Sequence, residues 1–178
     1  LVLSILVELW LLTYAFKRRS YSVAFIFCLM MLCLLVWTFG YIMELAAPDL
    51  ERALFWANVQ FLGIVFLPLI WLAMVVDYTG QWRSWRPFWG WALIFPVVTN
   101  LVIWTDPYHH LFRGTPVLKT TGAFPVLNSD YGFWYYFPTA TVDFLLFGLG
   151  FVLLVQVYRS GSALFRRQIL GIGLATLL

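Results

Sequence analysis

Long apolar runs separated by short polar turns dominate this chain. A run of this length with few charged residues is typical of a helix that crosses a lipid bilayer, which takes about 20 residues. Five such runs lie between the N-terminus and residue 157, and a sixth begins near the C-terminal end. The pattern predicts helical spans over residues 1–16, 21–45, 54–76, 88–104, 134–157 and 168–178 onward.

One polar stretch, residues 104–136, interrupts this pattern and holds both histidines of the chain. Two short apolar pieces in it flank the turn Thr120-Thr121-Gly122, an arrangement that indicates a β-hairpin. The sequence therefore predicts a loop over residues 105–133 that contains a short hairpin. We expect this hairpin to lie across one end of the helices as a lid.

Composition narrows the class of protein. Of the 178 residues, 63% are hydrophobic and 11% are charged, whereas soluble chains carry about 25% charged residues. Too few polar side chains are present to cover a water-exposed surface, which excludes an ordinary soluble domain. The predicted fold class is an all-α polytopic transmembrane helical bundle, one domain over residues 1–178.

The basic residues are distributed unevenly between the turns, with eight after the first, third and fifth runs and three after the second and fourth. Basic residues favour cytoplasmic turns, so the N-terminus and the loop 105–133 are predicted to be extracytoplasmic in a multi-pass protein of the plasma or inner membrane. The first set is Lys17, Arg18, Arg19, Arg83, Arg86, Arg159, Arg166 and Arg167, and the second is Arg52, Arg113 and Lys119.

Polar side chains within the spans and at their outer ends are the candidate ligand-binding groups. Such groups are costly at membrane depth, so they face a partner, the bundle interior or a wet cavity. Two interpretations stay open: a cavity beneath the hairpin, or hydrogen bonds that only hold the helices together. The candidates are Glu44, Asn58, Gln60, Asn100, His109, His110 and Asp143.

Motifs for catalysis and for cofactors are missing from the sequence. There is no phosphate-binding glycine-rich loop and no nucleophile elbow. Both lysines, Lys17 and Lys119, lie in turns, which excludes a retinal-type Schiff base. His109 and His110 are adjacent, so on a helix they diverge by about 100° and do not form a spaced metal pair. We expect no catalytic residue, no metal, no cofactor and no nucleic-acid partner.

A series of short motifs runs in order from residue 55 to residue 173. With these motifs the chain resembles the N-terminal seven-transmembrane sensor region of bacterial and archaeal histidine kinases. The resemblance implies a sensory receptor module of a two-component system that acts as a homodimer through a full-length kinase. It also implies a seventh span beyond the chain. The motifs include Gln60-Phe61-Leu62-Gly63-Ile64, Asp77-Tyr78-Thr79-Gly80, Asp106-Pro107-Tyr108-His109-His110-Leu111-Phe112, Tyr131-Gly132-Phe133-Trp134 and Phe165-Arg166-Arg167-Gln168.

Three functions compete at this point. The first is a sensor, embedded in the lipid bilayer, for an unknown small-molecule or lipid-like ligand. The second is a small transporter or proton-coupled carrier that uses Glu8 and Asp143, the acidic residues placed inside spans. The third is a passive anchor without a ligand.

Overall fold

The computed structural model describes residues 1–119 and 125–160. Across these residues the chain forms seven α-helices, a two-stranded hairpin, a 3₁₀ turn at Asp106–Tyr108 and a π-helical turn at Tyr135–Thr139. The helices are α1 (Val2–Phe16), α2 (Ser22–Leu45), α3 (Leu50–Ile64), α4 (Leu67–Tyr78), α5 (Trp82–Ala92), α6 (Ile94–Thr105) and α7 (Ala140–Ser160), and the strands are β1 (Val117–Lys119) and β2 (Val126–Asn128).

Four helical stretches are long and apolar enough to cross a membrane. They coincide with the second to fifth predicted spans, while α1 is shorter at 15 residues. The predicted sixth span lies outside the described residues, so a total of six or seven spans stays a prediction. The four stretches are Ser22–Leu45, Leu50–Tyr78, Trp82–Tyr108 and Tyr135–Arg159.

Two of these stretches are interrupted near a proline. Pro68 lies in the first turn of α4, just after the break that ends α3 at Ile64. Pro96 lies in the first turn of α6, just after the break at Leu93. Proline has no backbone N–H, so it cannot bond the carbonyl four residues earlier, and the helix is interrupted there.

Helices α2 and α3 pack closely as an antiparallel pair. The contact is closest at Gly63, where a Cβ atom would lie 2.3 Å from the carbonyl oxygen of Cys33. At Gly40 a Cβ atom would lie 2.7 Å from Cγ of Gln60. Small residues allow helix backbones to approach in a membrane, so these two glycines set the spacing of the pair.

Helices α4 and α7 form a second packed pair at the end of the bundle away from the hairpin. Its core consists of Trp71, Leu72, Val75 and Val76 of α4 with Leu153 and Leu154 of α7. Gly150 of α7 lies against the Trp71 ring, since a Cβ atom there would come within 2.1 Å of Cζ3. This contact draws the two helices together at that level.

The predicted hairpin is confirmed. Strands β1 and β2 are antiparallel, with Leu118 opposite Leu127, and an isolated bridge between Arg113 and Tyr131 continues the pairing toward the helices. Both strands contact α3, and β2 also contacts α2. The hairpin therefore lies over the ends of α2 and α3 that the charge distribution predicts to be extracytoplasmic.

Candidate functional site

A cavity of about 740 Å³ lies beneath the hairpin, between α2 and α3 on one side and α7 on the other. Its volume is in the range of about 300–1,000 Å³ that is usual for small-molecule sites. The roof is formed by Leu127, Asn128, Ser129 and Tyr131, and the walls include Trp37, Glu44, Gln60, Phe61, Ile64, Arg113, Tyr135, Thr139, Asp143, Phe144 and Phe147.

Two close helix contacts define the helix pairs that border the cavity. Gly63 brings α3 close to α2, and Gly150 brings α7 close to Trp71 of α4. Near the hairpin, α7 follows a π-helical turn that contains Pro138. Phe144 and Phe147 line the cavity from this end of α7, and the Phe147 ring also packs against Trp71 of α4, with the ring centroids 5.1 Å apart.

Glu44 and Gln60 join the two helices of one cavity wall. The Gln60 side-chain amide donates a hydrogen bond through Nε2 to the Glu44 carboxylate. Gln60 is buried, and both residues line the cavity. The structure thus brings together two candidates that the sequence places 16 positions apart on different helices.

Arg113 is the site residue that sequence reasoning missed, since it was counted only as a charge in an outer turn. It is 4% exposed and lies over the rings of Phe61 and Phe112, at 5.2 and 5.4 Å from the ring centroids. Its Nη1 donates to Oδ1 of the candidate Asn58. No local signal distinguishes Arg113 from a solvated turn residue, because its burial depends on contacts with a helix more than 50 positions away.

Burial also affects the ionisation of the groups in this part of the loop. Burial lowers the pKa of Arg113, and the nearby Tyr131, Asp106 and Glu44 oppose that shift electrostatically. Burial raises the pKa of Tyr131, and the Arg113 guanidinium opposes it. The tyrosine is therefore neutral near pH 7, while arginine keeps its charge in proteins.

Asp106 anchors the loop to the end of α6. Its carboxylate is buried and accepts hydrogen bonds from the backbone N–H groups of Phe112, at 2.7 Å, and Arg113, at 3.1 Å. Phe112 is fully buried and packs edge to face against Phe61, with the ring centroids 4.9 Å apart. Asp106 thus positions the backbone from which Arg113 reaches the cavity.

The two histidines do not line the cavity. His109 accepts a hydrogen bond at Nδ1 from the N–H of Leu111, at 3.1 Å, so Nε2 carries the proton and donates to Thr105 Oγ1 at 3.0 Å. His110 is exposed and has a left-handed backbone with φ of 52°, a conformation in which histidine is enriched. Both residues shape the turn after α6.

Asn100 also lies away from the cavity. It is buried, and its side chain donates a 2.9 Å hydrogen bond to the carbonyl oxygen of Pro96 within its own helix. Asp143 lines the cavity from α7, and its Oδ1 has no hydrogen-bond partner among the described residues. Of the seven candidates, three line the cavity, one supports Arg113, and Asn100, His109 and His110 lie elsewhere.

Glu8 belongs to a second, smaller cavity of about 450 Å³ between α1 and α2. Its Oε1 accepts a 2.8 Å hydrogen bond from Thr38 Oγ1. Trp37 and Gln60 line both cavities, which makes them the residues that separate the two spaces.

The fold and the site define a class: a polytopic helical membrane protein with a cavity of small-molecule size under one loop, lined mainly by apolar and aromatic side chains with a few charged groups. The model of a family described as the N-terminal 7TM region of histidine kinase matches residues 1–178. The chain belongs to this family, which confirms the resemblance and makes it a multi-pass membrane protein. No curated protein and no solved structure matches the chain.

Proposed function

We propose that this chain is the sensory input domain of a histidine kinase and that it detects its signal in the cavity beneath the hairpin. The proposal rests mainly on the cavity, which is lined by the charged residues Glu44, Arg113 and Asp143. The chain that contains it belongs to the family of histidine kinase 7TM regions. The ligand enters from the hairpin side, and the cytoplasmic output is a kinase core that works as a homodimer.

Relay to the cytoplasm follows from which helices form the cavity walls. One wall is the α2–α3 pair, and the other is α7, which packs against α4 through Gly150, Leu153 and Leu154 around Trp71. A ligand that prefers one spacing of these walls shifts the population of bundle states. Movement of α7 about the Trp71 contact carries that shift toward the inner end of the helix.

A carrier that uses Glu8 and Asp143 is less well supported. The two acids line different cavities on the hairpin side. Below Asp143 the space between α4 and α7 is filled by the core around Trp71, Leu72 and Leu153. A carrier needs a path that opens to each side of the membrane in turn. The packed core between α4 and α7 blocks such a path below the cavity.

Filling the cavity tests the sensor proposal without knowledge of the ligand. Ala140 lines the cavity, so Ala140→Trp is expected to hold the walls apart and change basal autophosphorylation of the full-length kinase about tenfold, equivalent to about 1.4 kcal/mol. The control is Leu145→Trp, because Leu145 is 65% exposed on the same helix. Equal effects of the two variants would show that the cavity is not coupled to the kinase.

The proposed orientation is tested by cysteine labelling in intact cells. Thr115 is exposed in the loop, and Ser84 is exposed in α5 at the opposite end of the bundle. A membrane-impermeant maleimide should label Thr115→Cys in intact cells and Ser84→Cys only after permeabilisation. The parent protein, with Cys28 and Cys33 inside α2, provides the background. The reverse labelling pattern would invert the topology.

A further inference from the structure

The charged groups of the cavity beneath the hairpin do not balance. Among the described residues that line it, Glu44 and Asp143 are acidic and Arg113 is the basic one. Tyr131 and Tyr135 also line the cavity and are neutral near pH 7. With all three charged groups ionised, the lining has an excess of one negative charge.

The positive charge of Arg113 has acidic groups and aromatic rings near it. Glu44 and Asp106 attract it electrostatically, and the rings of Phe61 and Phe112 lie under the guanidinium. Nη1 donates to Asn58, whereas Nη2 has no hydrogen-bond partner among the described residues and exposes less than 1 Å² of surface. A ligand atom the size of a water molecule does not reach Nη2, so Arg113 is a poor anchor for an anionic ligand.

Asp143, in contrast, has no compensating cation in the described part of the chain. Its Oδ1 is enclosed without a hydrogen bond, whereas Oδ2 is not enclosed in this way. An isolated carboxylate at membrane depth is costly and is stabilised by a cationic or hydrogen-bond-donating partner. The site thus lacks a positive group next to Asp143.

Aromatic rings line the cavity that this carboxylate borders. Trp37 lines it from α2, and Tyr135, Phe144 and Phe147 line it from the start of α7 and the turn before it. The face of an aromatic ring attracts a cation, and the attraction is strongest for tryptophan and for partly desolvated sites. Such a lining also accommodates an alkyl or aryl body, because most of its area is carbon.

We propose that the cavity binds an organic cation, with an ammonium group next to Asp143 and an apolar body against Trp37, Phe144 and Phe147. The proposal rests on the cavity being the ligand site of the sensor, and it adds the chemical class of the ligand. The volume of about 740 Å³ suits a small molecule and not a folded protein.

The test uses the full-length protein in phosphatidylcholine nanodiscs and three probes of equal chain length: hexyltrimethylammonium, hexanesulfonate and hexanol. Binding is measured by tryptophan fluorescence and by the shift in melting temperature. Hexyltrimethylammonium should bind at least tenfold more tightly than the other two probes. Asp143→Asn should weaken its binding at least tenfold, and Asp143→Glu should retain part of it.

Asp130→Asn is the control, because this exposed acid on the same side of the bundle lies outside the cavity. The melting temperature of Asp143→Asn without probe shows whether the variant folds. Preference for hexanesulfonate, or equal binding of the ammonium to Asp143→Asn and the parent, would overturn the proposal. If Ala140→Trp alters kinase activity while the ammonium does not bind, the sensor assignment stands and the ligand class is wrong. If the ammonium binds while Ala140→Trp leaves kinase activity unchanged, the ligand class stands and the sensing role is wrong.

Discussion

Replacement of Gly63 by alanine is expected to destabilise the bundle by about 3 kcal/mol. The added Cβ atom would lie 2.3 Å from the carbonyl oxygen of Cys33 and 3.1 Å from its carbonyl carbon. Both atoms belong to the backbone of α2, so no side-chain rotation relieves the clash, and α2 and α3 must separate. The hydrogen bond between Gln60 and Glu44 bridges the same two helices and should weaken with it.

The control for this variant is Gly148→Ala in α7, where a Cβ atom would meet nothing within 4 Å. Alanine is about 1 kcal/mol more favourable than glycine in a helix, and this gain is common to both variants. The difference in unfolding free energy between them therefore measures the clash alone. The unfolding free energy of each variant is measured by denaturant titration in mixed micelles. If Gly63→Ala proves as stable as Gly148→Ala, the α2–α3 spacing described above is wrong.

Replacement of Asp106 by alanine should detach the loop from the end of α6. The backbone N–H groups of Phe112 and Arg113 would lose their acceptor in a buried position. Each unsatisfied buried group costs about 1–3 kcal/mol, so a local loss of about 3 kcal/mol is expected. Hydrogen exchange at residues 111–114 should accelerate about 100-fold, since each 1.4 kcal/mol is a factor of ten.

The control is Asp130→Ala, which also removes one negative charge from the loop. The Asp130 side chain is exposed, and the hydrogen bond that Asp130 accepts from the N–H of Gly114 is made by its backbone oxygen. It should leave exchange at residues 111–114 unchanged. Asp106→Asn keeps one acceptor oxygen and should give an intermediate rate. Unchanged protection in Asp106→Ala would mean that the loop is held by the packing of Phe112 alone.

These two variants act on the parts of the molecule that position the cavity. Gly63 sets the spacing of the wall formed by α2 and α3, and Asp106 sets the position of Arg113 at its edge. Neither residue lines the cavity itself. Both variants should therefore also alter the basal signalling state of the full-length protein, as expected of residues that support a sensor site.

The helices were predictable because their signal is local. A long apolar run must satisfy its own backbone hydrogen bonds in a membrane, so helix is the structure that such a run adopts. The interruptions near Pro68 and Pro96 were predictable for the same reason, because a proline acts on its own helix. The hairpin was predictable because its turn residues are neighbours of its strands in the sequence. Glu44, Gln60 and Asp143 line one cavity, and the sequence indicated only that all three lie toward the outer side of different spans.

His109 and His110 lie outside the cavity, unlike what their place in the outer loop suggested. His109 and His110 were candidates because polar groups on the outer side were expected to face the cavity. The side chain of His109 instead satisfies the N–H of Leu111 and the hydroxyl of Thr105 in the turn after α6. A polar residue in a turn has local backbone groups to bond, and depth along the chain does not reveal which way it points.

The membrane class, the four long helical stretches, the hairpin and the family could all be predicted from the sequence, because each depends on residues that are neighbours along the chain. The cavity under the hairpin, and the presence of Arg113 and not a histidine in its lining, depend on the tertiary structure. The contacts responsible join residues far apart, as Arg113 and Asn58 are 55 positions apart. Gly63 and Gly150 each bring two different helices together, and the shape of the space between those helix pairs depends on three-dimensional packing that no local pattern specifies.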